Sequence, residues 1–295
     1  MSAFSKYHPI INFLFFFEVI GFSMFFMHPV TLLISLGCAF TYSIYLDGKK
    51  TVLISLKFNL PMMLMAAFIN PAFNHEGMTI LCYLPSGNPL TLESIIYGAA
   101  SAMMLSAVLL WFRCYTKIMT SDKFVYLFGR IIPALSLVLS MALRFVPKFA
   151  KQFEVVKNSQ QSIGRSTADG SVFQRIKNAV KILSIMVTWS LENAIETADS
   201  MKSRGYGLKG RTAFSIYRFA DRDKTALAWL LFCGMFLLCG IWANGLKWRY
   251  FPNMSGNFGG PLTICFFVVY LLLCLTPVFI DRREEKIWRS LKSKI

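Results

Sequence analysis

Five apolar runs, each long enough to cross the hydrocarbon core of a membrane, constrain the fold of this chain more than any other feature. A core about 30 Å thick is crossed by roughly 17 to 25 helical residues. The runs are 10–27, 30–46, 94–112, 226–243 and 262–280. A sixth run, 53–69, is interrupted by Lys57, Asn59 and Pro61. Because 55% of the residues are hydrophobic and the mean hydropathy is +0.52, a soluble domain is excluded and an integral membrane protein is predicted.

The positions of lysine and arginine predict how these spans are oriented. Short loops rich in Lys and Arg stay on the cytoplasmic side of a membrane. Six spans place Lys49 and Lys50 inside and place the segment 70–93, which has no lysine or arginine, outside. Only Lys247 and Arg249 are then left outside, and the basic C-terminal tail returns inside. We therefore expect a plasma-membrane protein with both termini in the cytoplasm.

One further apolar run, 131–146, is short, contains Pro133 and ends at Arg144 and Pro147. As a seventh span it would put the most basic part of the chain outside, so we expect an in-plane or partly inserted helix at the inner face. The predicted fold is an all-α membrane protein with about six transmembrane helices and two long amphipathic cytoplasmic helices. Its regions are N-terminal transmembrane helices (1–130), a cytoplasmic helical region (131–224), and a C-terminal transmembrane hairpin with a basic tail (225–295).

The block 144–224 carries half of the net charge of the chain. It has fifteen basic and seven acidic residues, an excess of eight within the formal +16. This excess favours contact with anionic lipid headgroups of the inner leaflet. No aromatic-rich basic groove accompanies the charge, so nucleic acid is not an expected partner.

Two long helices are predicted in this block. The second begins at Ser171, where the pattern 171–174 fits a capping box, and ends at Gly205, a residue common at helix C-termini. At about 1.5 Å per residue it would be roughly 50 Å long. Its apolar stripe must be buried against something, and we expect the preceding helix, which ends at Gly164, to be the companion. The stripe consists of Val172, Ile176, Ala179, Val180, Leu183, Val187, Leu191, Ala194, Ile195, Ala198 and Met201.

Three short motifs follow one another in this block, namely LRFVP at 143–147, QQSIG at 160–164 and MKSRGY at 201–206. In this order and spacing they resemble the T component of energy-coupling factor transporters, the CbiQ-like family. The likeness extends from the first span through the cytoplasmic block. It implies an ABC-type importer of a vitamin or a metal ion such as cobalt, in which the T component joins two ABC ATPase subunits to a small substrate-binding membrane (S) subunit. ATP and Mg would be bound by the partner ATPases, and this chain would hold no cofactor.

The resemblance also implies one Ala/Ser-Arg-Gly motif at the end of each coupling helix, seated in a groove of one ATPase. Ser203, Arg204 and Gly205 match the second motif. Small residues let a helix end enter a narrow groove, while an arginine offers a fork of donors to a partner carboxylate. Taken without the resemblance, Arg204 also suits a cation at a helix C-terminus and Gly205 a plain C-cap.

The first motif departs from the family pattern. The aligned residues are Ser162, Ile163 and Gly164, so isoleucine replaces the expected arginine, and Arg165 follows one place later. Either Arg165 serves from the shifted position, or the two ATPase contacts are unequal.

Other chemistry is not predicted in this chain. The segment 205–212 has P-loop spacing with arginine in place of the lysine, but it leaves a helix instead of joining a strand to a helix, so nucleotide binding is not expected. The histidines His8, His28 and His75 lie far apart, and the seven cysteines form no C-x-x-C pair. We therefore expect no metal site, no catalytic residue and no enzymatic activity.

Glu18 is a separate candidate because a carboxylate within an apolar span is costly and often functional. It would pair with Lys57 or with a polar group of a partner subunit. Alternatively, it is protonated or reaches into a protein interface.

The predicted function is therefore transmission of ATPase motion through the coupling helices to the S subunit. A self-sufficient secondary transporter is the alternative, and it would favour paired interrupted spans in two related halves. A membrane-embedded enzyme would need convergent polar groups at membrane depth, which the sequence does not provide.

Overall fold

The computed structural model of the chain describes residues 2–83, 89–129, 133–167, 170–206, 217–243, 245–256 and 259–292, and nearly all of its regular structure is helical. The helices are α1 (Pro9–Phe25), α2 (Pro29–Asp47), α3 (Lys49–Ile54), α4 (Leu60–Phe73), α5 (Leu92–Ile118), α6 (Ser121–Gly129), α7 (Pro133–Ser162), α8 (Val172–Ser203), α9 (Asp221–Trp242) and α10 (Pro261–Lys292). Strands β1 (Ile80–Tyr83) and β2 (Pro89–Thr91) pair antiparallel, as do β3 (Trp248–Arg249) and β4 (Ser255–Gly256). The predicted all-α class is confirmed.

Five helical segments in the described part of the chain are long and apolar enough to cross a membrane. They are Pro29–Asp47, Lys49–Phe73, Leu92–Ile118, Asp221–Trp242 and Pro261–Lys292. The first predicted span forms the apolar helix α1, whose 17 residues lie at the short end of the spanning range. The chain is therefore a multi-pass membrane protein.

The interrupted run 53–69 lies within one continuous helical segment. A π-helical turn, Ser55–Asn59, joins α3 to α4 and ends two residues before Pro61. Proline lacks an N–H and its ring crowds the carbonyl of the preceding turn, and a wider π-turn accommodates both effects. The interruption therefore changes the helix locally without ending it.

The chain divides into two compact units. The membrane unit comprises Met1–Lys123 and Tyr217–Ile295, and the insert unit comprises Phe124–Ile216. The units divide the chain at 123/124 and 216/217, whereas the predicted regions divide it at 130/131 and 224/225. Of the apolar run 131–146, the part from Pro133 onward belongs to α7, and residues 130–132 lie outside the described residues.

A polar network joins four helices inside the apolar core of the membrane unit. Ser23 of α1 lies 2.6 Å from Ser35 of α2 and 3.0 Å from the hydroxyl of Tyr270 of α10, hydroxyl to hydroxyl. Trp111 of α5 donates its indole N–H to Ser35 at 3.1 Å. Because no water is available at this depth, these groups satisfy one another and hold the helices in one register.

Contacts at the helix termini define two ends of the membrane unit. At one end, here called the termini end, residues 2–8 contact Asp223 at the start of α9 and Asp281 of α10. At the other end, the Tyr250 hydroxyl donates to the carbonyl of Met27, the residue before the α2 cap. Helices α1 and α9 therefore start at the termini end, and α10 runs back to it.

Candidate functional site

Helices α7 and α8 of the insert unit run antiparallel and contact each other over their middle portions. The Phe149 ring meets the Trp189 ring edge-on, with centroids 5.5 Å apart. Lys148 Nζ donates to Asn193 Oδ1 at 2.6 Å and lies 5.4 Å from the Trp189 ring centroid. The few contacts are specific, and they combine aromatic, cation–π and hydrogen-bonding interactions.

The expectation that α7 buries the apolar stripe of α8 is wrong for most of the stripe. Within α8, Ile182 is the one buried residue, and seven stripe residues are more than half exposed. Helices that meet only in the middle cannot cover a 32-residue stripe. The exposed stripe residues are Val172, Ile176, Val180, Leu183, Val187, Leu191 and Ile195.

An open groove of about 510 Å³ lies between the two helices. Its lining is mainly apolar and includes Phe149, Ala150, Phe153, Leu183 and Met186, with Glu154 and Lys157. The insert unit thus presents a continuous apolar surface formed by the groove and the α8 stripe.

The predicted second motif lies at the C-terminus of α8. Gly205 has φ +77°, the left-handed conformation that ends many helices. Its N–H donates to Lys202 O at 2.9 Å, and the Tyr206 N–H donates to Met201 O at 3.0 Å. These two bonds form a Schellman motif in which Arg204 is the C-cap residue.

The predicted first motif forms the same structure at the C-terminus of α7. Gly164 has φ +78°, its N–H donates to Gln161 O at 2.9 Å, and the Arg165 N–H donates to Gln160 O at 2.9 Å. The C-cap position is occupied by Ile163, whose residue surface is 66% exposed. Both helices therefore end in the same backbone motif, and the glycine stop predicted for each is confirmed.

The serines of the two ends also behave alike. Ser162 Oγ donates to Asn158 O at 3.0 Å, and Ser203 Oγ donates to Ser200 O at 2.9 Å. Each hydroxyl is thus used within its own last turn, and its small size keeps the helix end narrow.

The arginines of the two ends occupy different positions. Arg204 is the C-cap residue, whereas Arg165 lies two places further along its motif, at the position that Tyr206 occupies in the other. Both are exposed, and within the described ranges neither forms an ion pair or a side-chain hydrogen bond. Each guanidinium is thus available to another molecule.

Glu18 lies in α1 against α9. Its Oε1 is 2.7 Å from the point where a Cβ on Gly234 would lie, and its buried Oε2 has no hydrogen-bond partner among the described residues. No ion pair joins Glu18 to Lys57 among the described residues. The Lys57 Nζ lies instead 5.6 Å from the centroid of the Phe58 ring. A functional role for Glu18 stays a prediction.

Positions 207–212 of the P-loop-like segment lie outside the described residues. Four described charged residues of the membrane unit are buried although no sequence pattern marked them, because charged residues next to a span normally face water. They are Glu93, Lys123, Asp223 and Asp281.

The sequence model of the CbiQ family, described as cobalt transport protein, matches residues 4–214, a range that includes both helix ends. The chain belongs to this family. The predicted family resemblance is thereby confirmed.

Curated relatives agree with this placement. The chain is 36% identical over 109 residues to the energy-coupling factor transporter transmembrane protein EcfT of Lactobacillus helveticus, covering 36% of this chain and 39% of the relative. It is 36% identical over 111 residues to EcfT of Lacticaseibacillus paracasei, covering 37% and 40%. Identity to EcfT of Bacillus selenitireducens is 35% over 100 residues, covering 33% and 37%. The chain thus aligns with about two fifths of the length of these relatives.

Proposed function

We propose that this chain is the membrane-embedded coupling subunit of an energy-coupling factor importer. In this role it joins two ABC ATPase subunits, which bind ATP and Mg, to a small substrate-binding membrane subunit, and it hydrolyses nothing itself. The observation that carries the proposal is the pair of α7 and α8 ends in a CbiQ-family chain, each closed by a left-handed glycine next to an exposed arginine that forms no ion pair among the described residues. The names of the curated relatives support the same role.

The geometry of the helix ends suits transmission of motion. A Schellman motif satisfies backbone carbonyls at the helix terminus, so the end is stiff and narrow instead of frayed. When ATP makes an ATPase domain rotate, the stiff helix end moves with that domain, and the whole helix moves with its end. Arg204 supplies the charge-assisted hydrogen bonds that hold the tip in its groove.

The two ATPase contacts are unequal in this proposal. At the α7 end, the C-cap residue that enters the ATPase groove is Ile163, an exposed apolar residue. At the α8 end, the C-cap residue that enters the other ATPase groove is Arg204. Arg165 lies two residues after Ile163, and its side chain contacts the rim of the same ATPase groove as Ile163. The α8 contact is therefore the more strongly electrostatic of the two, and the α7 contact the more apolar.

The apolar surface of the insert unit is the proposed seat of the substrate-binding subunit and of lipid. The exposed stripe and the groove form one contiguous apolar surface. Ordinary protein surfaces carry exposed hydrophobic residues singly, whereas a contiguous apolar surface is typical of an interaction site. Methionine and phenylalanine side chains in the groove repack readily around a moving partner. The substrate, a vitamin or a transition-metal ion, is recognised by that subunit and not by this chain.

The orientation that fits this role places the termini end in the cytoplasm. Lys49, Lys50, Arg113 and Lys117 lie where α2, α3 and α5 reach the same side, which agrees with the positive-inside rule. Both termini and the basic insert unit are then cytoplasmic. The excess positive charge of the insert contacts anionic headgroups.

The test is purification of the tagged chain from native membranes in mild detergent, followed by mass spectrometry of its companions. Arg204→Glu is compared with Lys181→Glu, which makes the same charge change at an exposed position of the same helix. Removing one side of a buried, hydrogen-bonded charge pair typically costs about 2–5 kcal/mol, so Arg204→Glu should lose the ATPases that wild type and Lys181→Glu retain.

Two results would contradict the proposal. If wild type carries no ATPase while it still supports uptake, the chain acts as a secondary transporter. If both variants retain ATPases equally, the α8 end is not the docking point.

A further inference from the structure

The N-terminal segment, residues 2–8, is held by charged groups that are themselves buried. Asp281 of α10 is 1% exposed and accepts from Ser2 Oγ at 2.6 Å and from the Phe4 N–H at 2.8 Å. The Phe4 ring is also buried and meets the Phe15 ring edge-on at 5.3 Å. The start of the segment is thus fixed by a carboxylate and an aromatic contact together.

The middle of the segment is held by Lys123, which is 6% exposed. Its ammonium donates to the carbonyl of Ser5 and, at 3.1 Å, to the carbonyl of Ile118. With the Asn12 amide oriented to satisfy both its ends, Oδ1 accepts from Lys123 at 2.9 Å and Nδ2 donates to Phe4 O at 3.0 Å. Burial lowers the pKa of Lys123, and the three carbonyl-type oxygens compensate its charge.

The end of the segment is held by the start of α9. Asp223 is 1% exposed and accepts from the His8 N–H at 3.3 Å and from the Ala220 N–H at 2.9 Å. Arg222 donates to Lys6 O at 3.3 Å and lies 5.1 Å from the Tyr7 ring centroid. Arg222 and Asp223, both in the first turn of α9, therefore bind the N-terminal segment.

Two of these buried charges stand where the chain leaves and re-enters the membrane unit. The chain leaves this unit after Lys123 and returns at Tyr217, six residues before Asp223. Within the described ranges, neither charge forms an ion pair, so backbone groups of the N-terminal segment are major partners of both. Without the segment, each would be a buried and poorly compensated charge.

We propose that residues 2–8 form a clamp that fixes both junctions of the insert unit to the membrane unit, and that Lys123 and Asp223 are positioning residues for energy coupling. The coupling part of this inference rests on the function proposed above. Helices α7 and α8 can transmit motion to the spans only if the chain segments that connect the two units are held in place. The clamp holds these segments at both junctions, so movement of α7 and α8 moves the spans and does not merely bend the connecting chain.

The clamp is tested by hydrogen exchange of the full chain in detergent, with Lys123→Met and Asp223→Asn. We expect the amides of residues 4–8 to exchange about tenfold faster or more, since each variant leaves a buried group of the clamp without its partner. The controls are Lys224→Met and Asp221→Asn, neighbouring residues that pair with each other in the exposed first turn of α9. Ser2→Ala is a milder third variant, which removes the Ser2 hydroxyl from Asp281, leaves Lys123 and Asp223 unchanged, and covers the case that a charge variant fails to fold.

The positioning role is tested with spin labels on Lys50→Cys in the membrane unit and Lys202→Cys in the insert unit. A second pair, Lys50→Cys with Arg282→Cys, lies within the membrane unit and reports general loosening. Exposed native cysteines are first replaced by serine; they are Cys82, Cys239 and Cys265.

In wild type bound to its ATPases, ATP and Mg should shift the distance between Lys50→Cys and Lys202→Cys. In the clamp variants we expect the distribution of this distance to be broad before ATP is added, and we expect the ATP-dependent shift to be lost. The distance distribution of the second pair should stay unchanged. A merely structural defect would broaden both pairs together.

Unchanged exchange in both charge variants would overturn the clamp, and a normal ATP-dependent shift despite fast exchange would overturn the positioning role. If wild type binds no ATPase, the coupling function fails and the positioning role fails with it. The exchange result would then still decide whether the clamp exists.

Discussion

Replacement of Gly164 by alanine tests the helix-end geometry without reference to any partner. The site at the end of α7 offers open space, because a Cβ on Gly164 would have no heavy atom within 4 Å. Steric crowding is therefore absent, and the φ of +78° is the sole source of strain. The substitution isolates the contribution of the left-handed backbone to the Schellman motif.

The expected magnitude follows from this backbone conformation. An L-residue with a Cβ pays about 1–2 kcal/mol in the left-handed region, which corresponds to about a 5- to 30-fold shift toward the frayed end. Asparagine visits this region more readily than alanine, so Gly164→Asn should show a smaller effect.

Hydrogen exchange of residues 160–166 measures this fraying directly. The amides of Gly164 and Arg165 donate the two motif bonds, and both should exchange about 5- to 30-fold faster in Gly164→Ala. Gln161→Ala changes an exposed side chain in the same turn while its backbone stays helical, and should leave these amides protected. The reasoning is refuted if alanine at position 164 preserves wild-type protection, or if asparagine and alanine behave alike.

Two further predictions concern the stability of the membrane unit. Gly240→Ala should lower the thermal midpoint in detergent, because its Cβ would lie 2.8–3.0 Å from three atoms of the Phe266 ring, and overpacking of this kind costs about 1–3 kcal/mol. Gly37→Ala, in α2 with no heavy atom within 4 Å of the new Cβ, should instead raise the midpoint, and equal shifts in both variants would contradict the packing argument. Burial lowers the pKa of His8 while Asp223 opposes this, so the unfolded chain binds more protons and stability should fall as the pH drops below about 6.5. His8→Asn retains a helix-capping side chain and removes this titration, so its midpoint should depend less on pH between 7.5 and 5.5; identical slopes would count against the assignment.

Much of the architecture was predictable because it depends on local properties of the chain. Apolar runs of spanning length specify membrane helices wherever they occur, and the all-α class follows. The glycine stops at Gly164 and Gly205 were also predictable, since a left-handed residue ends a helix without help from distant contacts. The cap at Ser171 is local as well, and its hydroxyl accepts from the Gln174 N–H.

Features that depend on which helices become neighbours could not be predicted from local sequence. Periodicity marked the α8 stripe as apolar, but it could not tell that α7 covers only the middle of the helix. Charge made Lys57 a plausible partner of Glu18, yet the carboxylate lies against Gly234 of α9. The interruption at Pro61 was recognisable, whereas its accommodation by a π-turn was not.

The spans, the helix ends and the family could be predicted from the residues alone, because run length, glycine conformation and short motifs are encoded within a few turns of chain. The burial of Lys123, Asp223 and Asp281, and their contacts with residues 2–8, depend instead on how distant parts of the chain pack together. Residues far apart in the chain meet there, up to 279 positions apart. A charge beside a span is cheap in water and costly when buried, and only the packed neighbours determine which of the two environments it has.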